Sequence, residues 1–392
     1  MISIAIKPAF SLPDARYGLD GPLCLAAIVL LATGLVMVAS ASVAVAEKST
    51  GAPLYYFYKQ LFSAGLGLGL AAATFTVPMK TWEQSNFWLL AFAFFLLIAV
   101  LIPGIGVMVN SARRWLDLGV FRMQASEPAR LALVIYLAAY VVRRQAELQN
   151  SFKGLLKPLI PVVAASLLLL LEPDFGATAL LLAVSLLLLF LAGARLLHLG
   201  ALALAAAGAL TLLIFTAAYR LRRLMNFTDP FANIENGGWQ LAQSLIAIGR
   251  GEWTGVGLGN SVQKLLYLPE THTDFIFAIW SEEFGLIGIA VLLGLFGVLV
   301  WRAFAVGNEA ARRGRLFNAY LSYALGAWLG AQVLINMAVN MGLLPTKGLT
   351  LPLISYGGSS LITVCLMLAL LLRADYENRL ARAVAPAGGI RA

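Results

Sequence analysis

Charged residues are scarce in this sequence. They make up 12% of its 392 residues, whereas 60% are hydrophobic, and the mean hydropathy is +0.85. Such a composition excludes a soluble protein and predicts a polytopic membrane protein. The net charge of +9 does not require a nucleic-acid partner, because basic cytoplasmic loops beside anionic lipid are sufficient to explain it.

Histidine and cysteine are equally scarce. The histidines are His198 and His272 alone, which excludes a His-rich metal site. Cys24 and Cys365 lie inside apolar runs and lack the spacing of a metal or redox motif. The sequence also lacks an internal repeat, which disfavours the secondary transporters that are built from repeats.

Long apolar runs dominate the chain. A transmembrane helix needs about 20 apolar residues, and about ten runs approach that length: 21–42, 57–77, 87–108, 127–142, 158–172, 176–193, 197–218, 275–300, 317–341 and 356–373. Lys and Arg concentrate in alternate connections, which places residues 1–20 and the tail 374–392 in the cytoplasm. We therefore predict an all-α polytopic membrane protein, a bundle of about ten transmembrane helices in one domain, 21–373.

A long polar insert, residues 219–274, separates the seventh run from the eighth and falls outside the membrane in this topology. The segment is too short to bury a core of its own. We expect a short helix from Leu241 to Ile248, then a compact glycine-rich loop against the bundle. The insert ends on Glu270-Thr271-His272-Thr273-Asp274, and charge so close to hydrocarbon is functional by default.

Asp274 is the strongest candidate for a catalytic residue. Another role is the N-cap of a helix beginning at Phe275, and the two roles are compatible. Glu282 and Glu283 lie about two turns further along the same helix, where one of them either points back into a cavity or makes an interhelical hydrogen bond.

Cations on the outer side break the charge bias and indicate an anionic ligand. A guanidinium fork suits a phosphate or pyrophosphate, although snorkelling to lipid phosphate is the alternative for any single residue. These cations are Arg113 and Arg114 beside Trp115, Arg220 with Arg222 and Arg223, Arg250 with Lys264, and Lys347.

Glu172 and Asp174 flank Pro173 at another external reversal. The simpler interpretation is a turn in which Asp174 caps the next helix. The alternative is a metal site in which Asp174 or Asp274 holds Mg²⁺ together with a pyrophosphate, since Mg²⁺ typically takes one or two carboxylates plus phosphate oxygens. We expect no tightly bound cofactor.

Residues 345–360 combine prolines, paired glycines and hydroxyls before the last apolar run. We interpret them as the broken start of a helix, because irregular backbone at this depth is tolerated only beside a cavity or inside protein. Gly357 and Gly358 let the backbone approach a ligand, and Ser355, Tyr356, Ser359 and Ser360 supply hydroxyl donors.

Five segments together resemble the SEDS family of bacterial cell-wall polymerases: 113–116, 172–176, 267–275, 282–285 and 347–360. The form Lys-Gly-Leu-Thr-Leu-Pro at 347–352 is similar to the division branch of that family rather than to its elongation branch. The resemblance covers about 21–373. It departs from the family pattern at Asn110-Ser111 and at 124–127, which affects loop shape more than chemistry.

The resemblance implies a peptidoglycan glycosyltransferase that polymerises lipid II into glycan strands during cell division. It implies a site on the extracytoplasmic face of the bacterial inner membrane, at the septum, with Asp274 as the catalytic residue. The other residues that we assign to substrate binding are Arg113, Arg114, Trp115, Glu172, Asp174, Lys264, Glu270, His272, Glu283, Lys347, Ser355, Tyr356, Gly357, Gly358, Ser359 and Ser360. The implied partners are lipid II, undecaprenyl-pyrophosphate-linked glycan, a class B penicillin-binding protein and other division proteins.

The expected chemistry is an inverting attack of an acceptor 4-hydroxyl on the lipid-pyrophosphate-linked donor. A carboxylate takes the hydroxyl proton. Pyrophosphate leaves without a strong general acid once cations neutralise it, unlike the sugar oxygen for which glycosidases use two carboxylates. Two alternatives use the same residues differently: a lipid II flippase or other transporter, and a non-catalytic division scaffold.

Overall fold

The structure, a computed structural model, describes residues 18–109, 112–119, 121–215, 227–232 and 238–384. The described helices, in chain order, are α1 Gly21–Thr50, α2 Tyr55–Thr76, α3 Met79–Gln84, α4 Asn86–Ala99, α5 Ser126–Arg143, α6 Gln145–Asn150, α7 Phe152–Leu171, α8 Phe175–Leu191, α9 Leu196–Phe215, α10 Trp239–Gly251, α11 Ile276–Arg312, α12 Leu316–Asn340 and α13 Gly358–Val384.

Each of the ten predicted apolar runs falls on a helix, while α3, α6 and α10 lie between runs. Among the described residues, α1, α7, α9, α11, α12 and α13 are long and apolar enough to cross a membrane, and α4 and α8 are shorter apolar helices. The prediction of an all-α polytopic membrane protein is confirmed. The last helix continues to Val384, beyond the predicted domain end at 373.

The third predicted run, 87–108, is wrong in its second half. Helix α4 ends at Ala99, and Pro103 with Gly104, whose φ is 92°, lies beyond that end. Proline disfavours the continuation of a helix, because it lacks the N–H donor and its ring clashes with the preceding turn. A small antiparallel sheet follows instead, in the order β1 Gly106–Val109, β2 Ala112–Asp117 and β3 Arg122–Gln124.

The fifth predicted run begins too late. Helix α7 starts at Phe152, with the Ser151 hydroxyl accepting from the backbone N–H of Gly154, and it contains Pro158 and Pro161. Interior proline is tolerated in membrane helices because neighbouring groups satisfy the carbonyls that it leaves unpaired. The run therefore belongs to a helix of 20 residues that is long and apolar enough to cross a membrane.

The centre of the bundle is formed by α5, α12 and α13, most of whose residues are buried. Trp328 of α12 and Arg130 of α5 are among its largest buried side chains, and the guanidinium carbon of Arg130 lies 5.0 Å from the centroid of the Trp328 ring. By contrast, α9 is almost wholly exposed, as expected of a helix that faces lipid.

Helix α11 is broken at Gly285, whose φ of 62° and ψ of −161° are non-helical. A Cβ at this position would lie 2.5 Å from the backbone nitrogen of Gly255. The loop after α10 supplies hydrogen-bond donors to the backbone carbonyls at the break. The N–H groups of Val256 and Gly257 donate to the carbonyls of Glu282 and Glu283 at 2.9 and 3.0 Å. The described part of the insert therefore lies against the bundle as a short helix and a compact loop, as predicted.

Candidate active site

A cavity of about 1670 Å³ opens between the start of α2, the three-stranded sheet, residues 270–275, residues 346–350 and the start of α13. Four cations line it, at Lys59, Arg114, Arg122 and Lys347, together with three carboxylates, at Asp117, Glu270 and Asp274. The cavity therefore has a net positive lining, which favours an anionic ligand.

Asp274 lies half-buried at this cavity, in the turn that precedes α11. The helix begins at Ile276 with Phe275 at its N-cap position, so the capping role suggested for Asp274 is wrong. The backbone carbonyl of Asp274 accepts hydrogen bonds from the side-chain amides of Asn336 and Asn340, each at 3.0 Å. The main chain that carries the carboxylate is thus anchored to α12.

Lys347 and Gly348 lie on the neighbouring wall of the cavity. The Lys347 ammonium lies 4.0 Å from the centroid of the Phe175 ring. A Cβ built on Gly348 would lie 3.0 Å from Oδ2 of Asp274. The missing side chain therefore makes room for the carboxylate, and this segment places a cation and a close backbone approach in the same cavity as Asp274.

The predicted broken start of the last helix is confirmed. Helix α13 begins at Gly358, and Gly357, Gly358, Ser359 and Ser360 line the cavity. A Cβ on Gly358 would lie 2.7 Å from the hydroxyl of Ser63 in α2, so a larger residue here would require that hydroxyl to move. The first N–H groups of a helix have no intrahelical acceptor and carry a partial positive charge, which suits an anion.

Arg114 and Trp115 of β2 line the cavity, whereas Arg113 does not. The pairing of β1 with β2 is irregular at Arg114, since Val107 and Met108 face Trp115 and Arg113, so strict alternation of side chains does not hold there. Arg114 also donates to the backbone carbonyls of Glu172 and Pro173, at 2.7 and 2.5 Å. The predicted cations Arg220, Arg222 and Arg223, and the pattern departures at Asn110 and Ser111, lie outside the described residues.

Glu172 and Asp174 do not line the cavity. Burial raises the pKa of the Glu172 carboxyl to about 9, with the Asp174 carboxylate adding to the rise, so Glu172 is neutral at physiological pH. Asp174 is the N-cap of α8, accepting from the N–H of Ala177 at 3.0 Å, as the simpler interpretation predicted. Both side chains are buried beside the cavity, and their assignment to substrate binding stays a prediction.

The structure does not bring Asp174 to the cavity that Asp274 lines, so the two do not share a metal there. No group of three His, Cys, Asp or Glu side chains suited to a metal occurs among the described residues. A protein-held metal cage does not fit this part of the chain. Mg²⁺ carried by Asp274 with substrate phosphate stays a prediction, since one carboxylate plus phosphate oxygens is sufficient for such binding.

Lys264 and Glu283 form a buried ion pair at 2.7 Å, away from the cavity lining. Glu282 is also fully buried and accepts from Arg250 at 3.1 Å and from the hydroxyl of Ser261. Neither glutamate points back into the cavity. Both charged groups attach the loop to α11, and their assignment to substrate binding stays a prediction.

Four further predicted residues differ in whether they line the cavity: Glu270, His272, Ser355 and Tyr356. Glu270 and Tyr356 line the cavity, and Glu270 accepts from the hydroxyl of Thr273 at 2.7 Å. His272 is buried behind the lining, with its ring 5.5 Å from that of Tyr356, and burial lowers the pKa of its imidazole. Ser355 is buried and accepts from the N–H of Leu351 at 2.7 Å. Both side chains are buried, and their assignment to substrate binding stays a prediction.

Sequence reasoning missed two of the cavity cations. Lys59 lies near the start of the second apolar run, where a lone charge in an apolar segment was the available signal. Arg122 lies in an external polar segment and forms an exposed ion pair with Asp117 at 3.7 Å. Predicting that Arg122 faces the cavity would have required recognising the strands in residues 106–124. Residues 106–108 were assigned to a helix instead.

Comparison with known proteins agrees with this architecture. A family model described as "Cell cycle protein", covering FtsW, RodA and SpoVE, matches residues 22–380. The chain is 52% identical over 360 residues to a probable peptidoglycan glycosyltransferase FtsW of Thioalkalivibrio sulfidiphilus, covering 92% of this chain and 90% of that protein. It is 53% identical over 363 residues to the corresponding protein of Alkalilimnicola ehrlichii, covering 93% and 90% of the two chains.

Two solved structures are also similar. One is a chain of a peptidoglycan synthase complex studied for the structural coordination of polymerization and crosslinking, with a TM-score of 0.74, 28% identity and coverage of 92% of this chain and 98% of that chain. The other is the rod shape determining protein RodA of Thermus thermophilus, with a TM-score of 0.67 and the same identity and coverage. The chain belongs to the SEDS family of FtsW, RodA and SpoVE cell cycle proteins, and within it to the FtsW branch.

Proposed function

We propose that this chain is a peptidoglycan glycosyltransferase that extends glycan strands from lipid II, with Asp274 as the base. The observation that carries the proposal is the position of Asp274 in a cavity that also holds Lys347, Arg114 and the start of α13. A base and an anion-binding surface in one cavity are what glycosyl transfer from a lipid pyrophosphate requires. The relatives named peptidoglycan glycosyltransferase support the reaction class.

In the proposed step, the acceptor's 4-hydroxyl oxygen forms a bond to the anomeric carbon of the donor sugar. The bond from that carbon to the pyrophosphate oxygen breaks, with inversion at the carbon. The hydroxyl proton passes to Asp274, and undecaprenyl pyrophosphate leaves. Its charge is stabilised by cavity cations, chiefly Lys347 and Arg114, and by the helix N-terminus at Gly358.

We further propose the cellular setting. The positive-inside pattern supports a cavity on the extracytoplasmic face of the inner membrane, and the match to a family of cell cycle proteins supports a role at the division septum. A class B penicillin-binding protein is the proposed partner. The similar chain in a peptidoglycan synthase complex, studied for polymerization and crosslinking, supports such a partnership.

The test is polymerisation of lipid II by the purified, reconstituted protein, with and without its partner. Asp274→Ala should fold and insert but lose at least about 10²-fold in rate, the usual contribution of a general base. Glu47→Gln is the control, because Glu47 is exposed and lies away from the cavity. Polymer formation by Asp274→Ala at the parent rate would remove the residue from the role.

Two further assays, one in vesicles and one in cells, separate the alternatives. Movement of labelled lipid II across vesicles without bond formation would favour a flippase. If every cavity variant kept its division function in cells, a scaffold would be favoured instead.

The cation has its own test. Lys347→Ala should lower kcat/KM for lipid II by roughly 10- to 100-fold, chiefly through KM, because one charge-assisted contact to a phosphate is lost. Lys347→Arg should restore most of the affinity. Lys80→Ala, at an exposed residue of α3 outside the cavity, is the control. An unchanged KM in Lys347→Ala would show that the ammonium does not hold the donor.

A further inference from the structure

Three buried amide side chains follow one another along α12, at Gln332, Asn336 and Asn340. Their spacing of four residues places them on one face of the helix. Amides inside an apolar helix are costly unless their donors are satisfied. Here the amide donors are satisfied by backbone carbonyls of the two segments that form the cavity wall.

Asn336 joins the two segments directly. Its amide nitrogen donates to the carbonyl of Asp274 at 3.0 Å and to the carbonyl of Leu349 at 2.6 Å. One nitrogen therefore holds the two carbonyls no further apart than the sum of these distances. The first belongs to the proposed base, and the second lies two residues after Lys347.

The flanking amides complete the attachment on either side. Asn340 donates to the Asp274 carbonyl at 3.0 Å, and its oxygen accepts from the N–H of Ala278 in α11 at 3.3 Å. Gln332 donates to the carbonyl of Thr350 at 2.9 Å and accepts from the indole of Trp328 at 2.9 Å. Thr350 in turn shares a hydrogen bond of 2.8 Å with the hydroxyl of Ser360 at the start of α13.

We infer that Asn336, supported by Gln332 and Asn340, is a positioning residue that sets the distance and orientation between Asp274 and the Lys347–Gly348 segment. The inference deepens the proposed function and rests on it. The donors bind main-chain oxygens, so the amides act on the backbones from which the base and the cation project. A misplacement of about 1 Å at such a pair costs on the order of 10²-fold in rate.

The first experiment measures kinetics. Asn336→Leu keeps the branching and the heavy-atom count of the side chain but removes its N–H donors, and Asn336→Asp keeps the shape but replaces the donor nitrogen with an oxygen. Both should lower kcat for lipid II polymerisation by on the order of 10²-fold, with a much smaller change in KM. The control is Asn318→Leu, on the same helix, where the buried amide nitrogen has no partner among the described residues; its kcat should match the parent.

Thermal unfolding measures the folded fraction of each variant, and kcat is then expressed per folded molecule. A kcat per folded molecule that equals the parent in Asn336→Leu overturns the inference. So does a loss that the Asn318→Leu control shares.

The second experiment reads the geometry without any catalysis. Asp274→Cys and Gly348→Cys are combined in a Cys24→Ala, Cys365→Ala background, since Gly348 approaches the Asp274 side chain closely. A disulfide requires Cβ atoms within about 4.5 Å, so bridge formation reports their alignment. We expect ready bridging with Asn336 present and a several-fold slower rate with Asn336→Leu.

Unchanged bridging in Asn336→Leu overturns the inference, whatever the kinetics show. Full activity of Asp274→Ala instead overturns the proposed function, and the bridging rate still decides whether Asn336 aligns the two segments.

Discussion

Asp274 immediately precedes the eighth apolar run and Glu283 lies within it, yet the protein uses the two carboxylates differently. Asp274 lies half-buried in a large cavity lined by cations. Glu283 is fully buried and pairs with Lys264 at 2.7 Å outside that cavity. Charge near a membrane is thus a sign of importance but not of chemistry, because a buried ion pair attaches structure, whereas a carboxylate that lines a cavity lies where a ligand can bind.

The ion pair supplies the largest stability effect. Glu283→Gln leaves the Lys264 ammonium buried without its counter-charge, and the free energy of unfolding should fall by about 3–5 kcal/mol. Thermal unfolding in detergent measures this change. Asp274→Asn, by comparison, should lose activity with little loss of stability.

A double variant completes the comparison. Glu283→Gln combined with Lys264→Met removes both charges and should recover much of the lost stability. If the single Glu283→Gln variant were as stable as the parent protein, the structural role of the pair would be refuted.

Gly348→Ala sharpens the comparison at the cavity. The added Cβ would lie 3.0 Å from Oδ2 of Asp274, so the carboxylate must shift by a few tenths of an ångström. We expect kcat for glycan polymerisation to fall about tenfold, with stability and KM nearly unchanged. Gly69→Ala is the control, because a Cβ there meets no atom within 4 Å. Equal rates for the two alanine variants would contradict the proposed closeness of the loop to the base.

The smallest effect concerns pH. Burial lowers the pKa of His272 below its ordinary value of 6.5, while nearby Glu270 opposes this change. Between the folded and the unfolded pKa, the unfolded chain binds a proton that the folded protein does not. Stability should therefore decline as pH falls through 6.5 and level off below the folded pKa, by about 1.4 kcal/mol for each pH unit that separates the two pKa values.

Melting temperature measured from roughly pH 8 to pH 5 tests this expectation. His272→Phe should remove this part of the slope, because phenylalanine has no titratable group. The substitution keeps an aromatic ring beside Tyr56 and Tyr356. His198→Gln serves as the control. A slope that persists in His272→Phe would assign the pH dependence to another group.

The sequence predicted the frame of the site well. Asp274, Lys347 and the glycines of 357–358 lie in segments whose polarity contrasts with the apolar runs beside them, and all of them line the cavity. The same polarity did not separate these residues from Glu172, Lys264, Glu283 and His272, which are buried behind or beside the lining. Charge at a membrane boundary is visible in a linear pattern, whereas the direction in which a side chain points is not.

The sheet and the amide face of α12 show the same limit. Residues 106–108 were predicted as the end of a helix, because apolar length favoured a span over a short strand. Gln332, Asn336 and Asn340 form a regular pattern in the sequence, but their acceptors lie in other segments of the chain. The pattern acquires a meaning only when those segments are packed against it.

The sequence by itself determined that this protein is a helical membrane bundle and which polar segments interrupt it, because the thickness of a bilayer dictates the length of apolar runs. Only the tertiary structure decided which charges face the cavity and which are closed into buried pairs. Pairing and burial depend on contacts between residues far apart in the chain, so no local pattern contains them.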